Sequence, residues 1–252
     1  MRIQTIAAWV VVLGSLPAWA AEPEKPAAPA SAKDAPAARE KGSEDKPQNS
    51  PPVTPENFKF VIKVDTSDVP EMADYGKRVQ KVAEEWYPKI WAKLPSEGFV
   101  PPATVTITFK KDYKGVAAAS GNRITAAQKW FTDHPDDVGA FVHELVHVVQ
   151  AYRRGPKPGW LVEGIADWYR FFNYEPVNKR PHPNPTRAKY TDSYRTTGHF
   201  LNWAQETYDK DLVVKINAAC RQGKYNEGLW KEYTGKTLEE LGAEWKESLA
   251  KK

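Results

Sequence analysis

Phe141-Val142-His143-Glu144-Leu145-Val146-His147-Val148-Val149-Gln150 is the stretch on which the reading of this chain turns. Its apolar residues predict a buried helix, and on a helix residues i and i+4 share a face. His143 and His147 therefore present two imidazoles to one point. Glu144 is rotated off that line but still reaches water beside it. Two histidines and a glutamate in so apolar a helix would be costly to bury without a partner. A metal ion supplies one. Ligands that leave a position open, with a base beside it, are what a zinc hydrolase needs.

A catalytic zinc site takes a third protein ligand. Working outward, Gly159-Trp160-Leu161-Val162-Glu163-Gly164-Ile165-Ala166-Asp167-Trp168 predicts a second apolar helix. It carries two acids, Glu163 and Asp167, again four apart. One assignment makes Glu163 the metal ligand and Asp167 the acceptor for the outer N–H of a ligand histidine, fixing its tautomer. The reverse assignment, with Asp167 on the metal, stays open at this stage. A metzincin pattern is excluded, because it needs glycine and histidine where Gln150 and Arg153 stand.

The two blocks, Phe141 through Gln150 and Pro158 through Asp167, resemble the plant and bacterial basic secretory protein family, which sits with the gluzincin-type zincin peptidases. The resemblance spans about residues 57–250. It implies that His143, His147 and Glu163 hold zinc, that Glu144 is the general base, and that Asp167 supports a ligand. It also implies an α+β, zincin-like metalloprotease domain that hydrolyses peptide bonds. The interval between His147 and Glu163 is shorter than in thermolysin-like enzymes, and Lys157-Pro158-Gly159 suits the tight turn this demands.

The N-terminus predicts export. Met1-Arg2 carries positive charge, an apolar run follows from Ile3 to Leu16, and Ala18-Trp19-Ala20 offers small residues for cleavage. Residues 1–20 are thus expected to be a signal peptide, and the protein to be secreted or periplasmic with no stable membrane insertion after cleavage. Residues 21–56 are rich in Ala, Pro, Lys and Glu, and before Asn57 they contain no aromatic residue. Such a segment is expected to be a disordered linker. Residues 57–252 suit one domain, expected to be a monomer. The chain has one cysteine, Cys220, so no internal disulfide can form. The net charge of +4 is spread along the sequence, without the basic, aromatic-laced run that would suggest nucleic acid.

Within the domain, residues 58–64 and 104–109 alternate as strands. Residues 116–124, split at Ser120-Gly121-Asn122, predict a hairpin whose edge pairs with a peptide substrate. Residues 71–94 carry a helical stripe that Pro88 is expected to kink or interrupt. His134-Pro135-Asp136-Asp137 reads as the start of the histidine helix, which should reach about Arg153. The Glu163 helix should run to about Phe172, followed by a proline-bearing loop over residues 175–191. A helix opens near Ser193-Tyr194, and two or three more close the chain around Leu238, Leu241, Trp245 and Leu249. A small mixed sheet followed by a mainly helical C-terminal half is the expected layout.

Peptide hydrolysis builds negative charge on the carbonyl oxygen, which a positioned donor stabilises. Tyr194 is the first candidate for that donor and His199 the second. The expected activity is zinc-dependent endopeptidase action on peptide or protein substrates. The competing readings are a zincin-fold binding or defence protein with weak or no turnover, and a cell-wall peptide hydrolase.

Overall fold

The computed structural model describes residues 53–152 and 155–251. The expected signal peptide and most of the expected linker lie outside the described residues.

Strand β1 (Val61–Asp65) leads through helix α1 (Ala73–Lys93) to β2 (Thr104–Lys110), and β1 and β2 pair in parallel. Hairpin strands β3 (Ala117–Ser120) and β4 (Arg123–Ala127) follow. The order is β1-β2-β4-β3, with β2 and β4 parallel and β4 and β3 antiparallel, so the sheet is mixed and β3 is an edge. On β2, Val105, Ile107 and Phe109 are buried while Thr104, Thr106 and Thr108 are only partly so. That period of two gives the sheet one packed face.

α1 buries Gly76, Val79, Ala83, Tyr87, Ile90 and Trp91, the spacing of a single helix face. It continues through Pro88, so of the expected kink or interruption the interruption does not occur. Tertiary packing explains this. Tyr87 and Trp91, on either side of the proline, lie among Phe58 and Phe60, and the Tyr87 hydroxyl donates to the Pro102 carbonyl at 2.9 Å.

A short helix, α2 (Gln128–Asp133), leaves β4 directly. His134 ends it rather than beginning the next helix, and its ring stacks on Trp130 with centroids 4.0 Å apart. The histidine helix, α3, spans Gly139–Gln150, so it starts later and stops earlier than the sequence suggested. Asp137 is drawn away from the helix end because its carboxylate takes the Trp130 Nε1 hydrogen at 2.9 Å and pairs with Arg170. At the other end Ala151 turns left-handed (φ 42°) and stops the helix. α3 is buried on nearly every side, packed between α1, the β3–β4 hairpin and α4.

The helical half begins with α4 (Gly159–Tyr169), which widens into a π turn over Arg170–Tyr174 where a plain helix end near Phe172 was expected. The loop over residues 175–191 holds a 3-10 turn at Val177–Lys179. α5 (Tyr194–Thr207), α6 (Leu212–Gln222), α7 (Gly228–Thr234) and α8 (Leu238–Ala250) complete the chain. Leu238, Leu241 and Trp245 of α8 are buried, and Leu249 packs partly against the core. α4 and α5 pack closely because each offers a glycine at the crossing. A Cβ on Gly164 would strike Thr197, and one on Gly198 would lie 2.9 Å from the Trp168 nitrogen. Among the described residues no helix is long and apolar enough to cross a membrane.

Candidate metal centre

α3 and α4 lie side by side, and their facing residues make a cluster in which one ligand atom each of His143, His147 and Glu163 falls within 4.8 Å of the others. The Nε2 atoms of the two histidines are 3.1 Å apart. Glu163 Oε2 stands 3.2 Å from each of them. Asp167, one turn along α4, is 3% exposed, and its Oδ1 lies 2.6 Å from His143 Nδ1. It therefore meets the outer nitrogen of that ring, while Glu163 meets the inner one.

Both rings have their tautomers set by their surroundings. A carboxylate can only accept, so His143 Nδ1 carries the hydrogen toward Asp167. His147 Nδ1 faces Gln150 Oε1 at 2.8 Å, and the same amide donates from Nε2 to the Val162 carbonyl at 2.9 Å. A carbonyl cannot donate, so the amide orientation follows and His147 Nδ1 is also the N–H. With its hydrogen on Nδ1, each ring turns its Nε2 toward the Glu163 carboxylate. Three ligand atoms converging in a part-buried place could hold a cation. With a proton in that role, burial by itself would depress the His143 pKa. The Asp167 and Glu163 carboxylates more than offset this and hold it up at about 10. Burial likewise pushes Glu163 upward, but hydrogen bonds and charge from His143 and His147 pull its carboxyl well below the ordinary range. Two imidazoles and one carboxylate are a donor set that zinc accepts, so the residues present fit the ion.

Glu144 is 5% exposed and points to the sheet side of α3, where its Oε2 accepts the Ala119 N–H of β3 at 2.7 Å. Tyr194 stacks on His143, with ring centroids 6.0 Å apart and planes inclined by 20°. It does so from an unusual backbone, since Ser193 (φ 63°, ψ −178°) and Tyr194 (φ 43°) both sit at positive φ. His199 lies elsewhere on α5. Its Nδ1 takes the Trp245 Nε1 hydrogen at 3.0 Å, and its ring packs on Phe172. His182 is exposed in the loop.

Three contributors were missed in the sequence. Gln150 stands three residues after His147, a spacing that shares a helix face, so its contact could have been foreseen. The Ala119 amide and Arg221 could not, since both come from distant segments. Arg221 of α6 holds the Val149 and Gln150 carbonyls at 3.0 and 3.2 Å, closing the C-terminus of α3.

The model of a family described as peptidase of plants and bacteria matches residues 58–245. No curated protein and no solved structure matches the chain. The family match runs from just before β1 into α8 and takes in α3 and α4 with every residue of the cluster. This chain belongs to the basic secretory protein family of plant and bacterial peptidases.

Proposed function

We propose that this protein is an exported, zinc-dependent peptidase of zincin type that cleaves within peptide or protein chains. The convergence of His143 Nε2, His147 Nε2 and Glu163 Oε2, with Glu144 on the same helix, carries the reading. When bound, the metal supplies Lewis acidity, making water acidic near neutral pH and polarising a carbonyl oxygen. His143, His147 and Glu163 would hold it. Asp167 and Gln150 keep both histidine rings oriented. Glu144 accepts a proton from the attacking water as its oxygen bonds to the peptide carbonyl carbon. It returns that proton to the departing amine when the C–N bond breaks. The Ala119 amide anchors one oxygen of Glu144, which leaves the other to handle the proton. Tyr194 is the preferred oxyanion donor, because its ring lies on His143 whereas His199 faces α8.

The β3 edge supports peptide capture. Its Ala119 N–H turns away from β4 toward Glu144, so by strand alternation the Ala117 backbone groups also face outward, open to main-chain pairing. Export rests on the N-terminal sequence, with its charged start, apolar run and small residues before Ala20.

Glu144→Gln should retain zinc and the melting temperature of the parent, while peptide cleavage falls by about 10²–10⁴-fold. Cleavage of a casein or peptide-library substrate, followed with and without a chelator, measures this. An undiminished rate in Glu144→Gln would remove the base assignment.

A further inference from the structure

Gln150 lies outside the paired-histidine motif, yet it connects the two helices that carry the ligand atoms. Its amide reaches His147 Nδ1 on one side and the Val162 carbonyl on the other. Val162 is the residue immediately before Glu163. We propose that Gln150 is a positioning residue that sets the tautomer of His147 and the placement of Glu163 together, holding both ligand atoms in register.

The geometry supports this in three ways. First, the Val162 carbonyl fixes the amide, because a flip would turn the amide oxygen against another acceptor, so Gln150 presents only an acceptor to His147 Nδ1 and imposes one tautomer on that ring. Second, Gln150 is 2% exposed, so water cannot replace either bond. Third, the backbone that carries the side chain is itself secured. α3 ends at Gln150, Ala151 turns away at φ 42°, and Arg221 grips the two last carbonyls of the helix. Arg221 is buried and stacks over Phe99, 4.0 Å from the ring centroid, so the clamp extends into α6. The two histidines are thus supported differently. His143 leans on an anionic carboxylate and His147 on a neutral amide that also holds the neighbouring helix.

This inference rests on the metal-site reading, so its test separates the two. Long-range proton–nitrogen NMR on the metal-free full chain reports whether His147 carries its hydrogen on Nδ1, and chelator competition reports zinc affinity. In Gln150→Met, which removes both bonds at similar volume, the Nδ1 preference should be lost and zinc affinity should fall about 10–100-fold. In Gln150→Glu the acceptor for Nδ1 survives but the donor to Val162 does not. The tautomer should persist there, and affinity should fall between the parent and Gln150→Met. Thermal melting of each variant identifies a purely structural role, which would lower the melting temperature and leave tautomer and affinity alone. That pattern, or a Gln150→Met affinity within twofold of the parent with the tautomer unchanged, would overturn the proposal. If the parent itself took up no zinc, the metal reading would fall, and the tautomer comparison would still decide whether Gln150 orients His147.

Discussion

At the scale of single residues, the least comfortable position in the described chain is Ser193. Its φ of 63° with ψ near 180° belongs to a region that glycine alone occupies at ease, and Tyr194 follows at φ 43°. The strain sits where the chain turns to lay Tyr194 on His143. Ser193→Gly removes the Cβ penalty, about 1–3 kcal/mol, against an added entropic cost of roughly 0.5–1 kcal/mol. The expected result is a net gain of about 1 kcal/mol in denaturant unfolding, with the fold unchanged. Cys220 offers a second residue-scale expectation. Burial pushes its thiol pKa up to about 12, and it is 2% exposed. A thiol reagent at neutral pH should leave the native protein unlabelled and label it promptly once it unfolds. Quick labelling of the folded protein would contradict the packing around α6.

At the scale of elements, the site depends on how closely α4 approaches its neighbours. α4 supplies Glu163 and Asp167, and it meets α5 through Gly164 and Gly198. At Gly198 the obstacle to a side chain is the Trp168 backbone, which cannot rotate aside. Gly198→Ala should force the two helices apart and destabilise the fold by about 1–3 kcal/mol. Because Trp168 follows Asp167 directly, the same change should weaken zinc binding in chelator competition. A melting temperature equal to the parent's would mean that the crossing is looser than described. Helix ends show why element boundaries were harder to read than element identities. The acids of His134-Pro135-Asp136-Asp137 resemble a helix start, but Asp137 serves Trp130 and Arg170 instead. Pro88 predicted a kink or an interruption, and with Tyr87 and Trp91 packed beside it the helix runs on without interruption. In each case a local signal yielded to a contact with a residue far along the chain.

At the scale of the whole molecule, a ligand cluster that only folding brings together would couple metal binding to stability. A ligand that binds only the folded state adds about 2.7 kcal/mol when present at 100 times its dissociation constant. For a domain of this size that corresponds to a rise of about 5–10 °C in melting temperature on adding zinc to metal-free protein. Calorimetry with and without zinc measures it, and coincident transitions would speak against a site formed by folding. The sequence by itself determined the helix that carries His143 and His147, the apolar helix that carries Glu163 and Asp167, and the strands of the small sheet. These follow from spacings of two and of three to four residues, which a short stretch of chain holds on its own. Only the tertiary structure decided which acid faces the inner nitrogens, that Gln150 bridges to Val162, that Ala119 of an edge strand holds Glu144, and that Tyr194 rather than His199 stacks on His143. Periodicity says which residues share a face of one element. Which faces then meet is settled by packing volumes and by the pairing of buried polar groups between segments far apart in the chain.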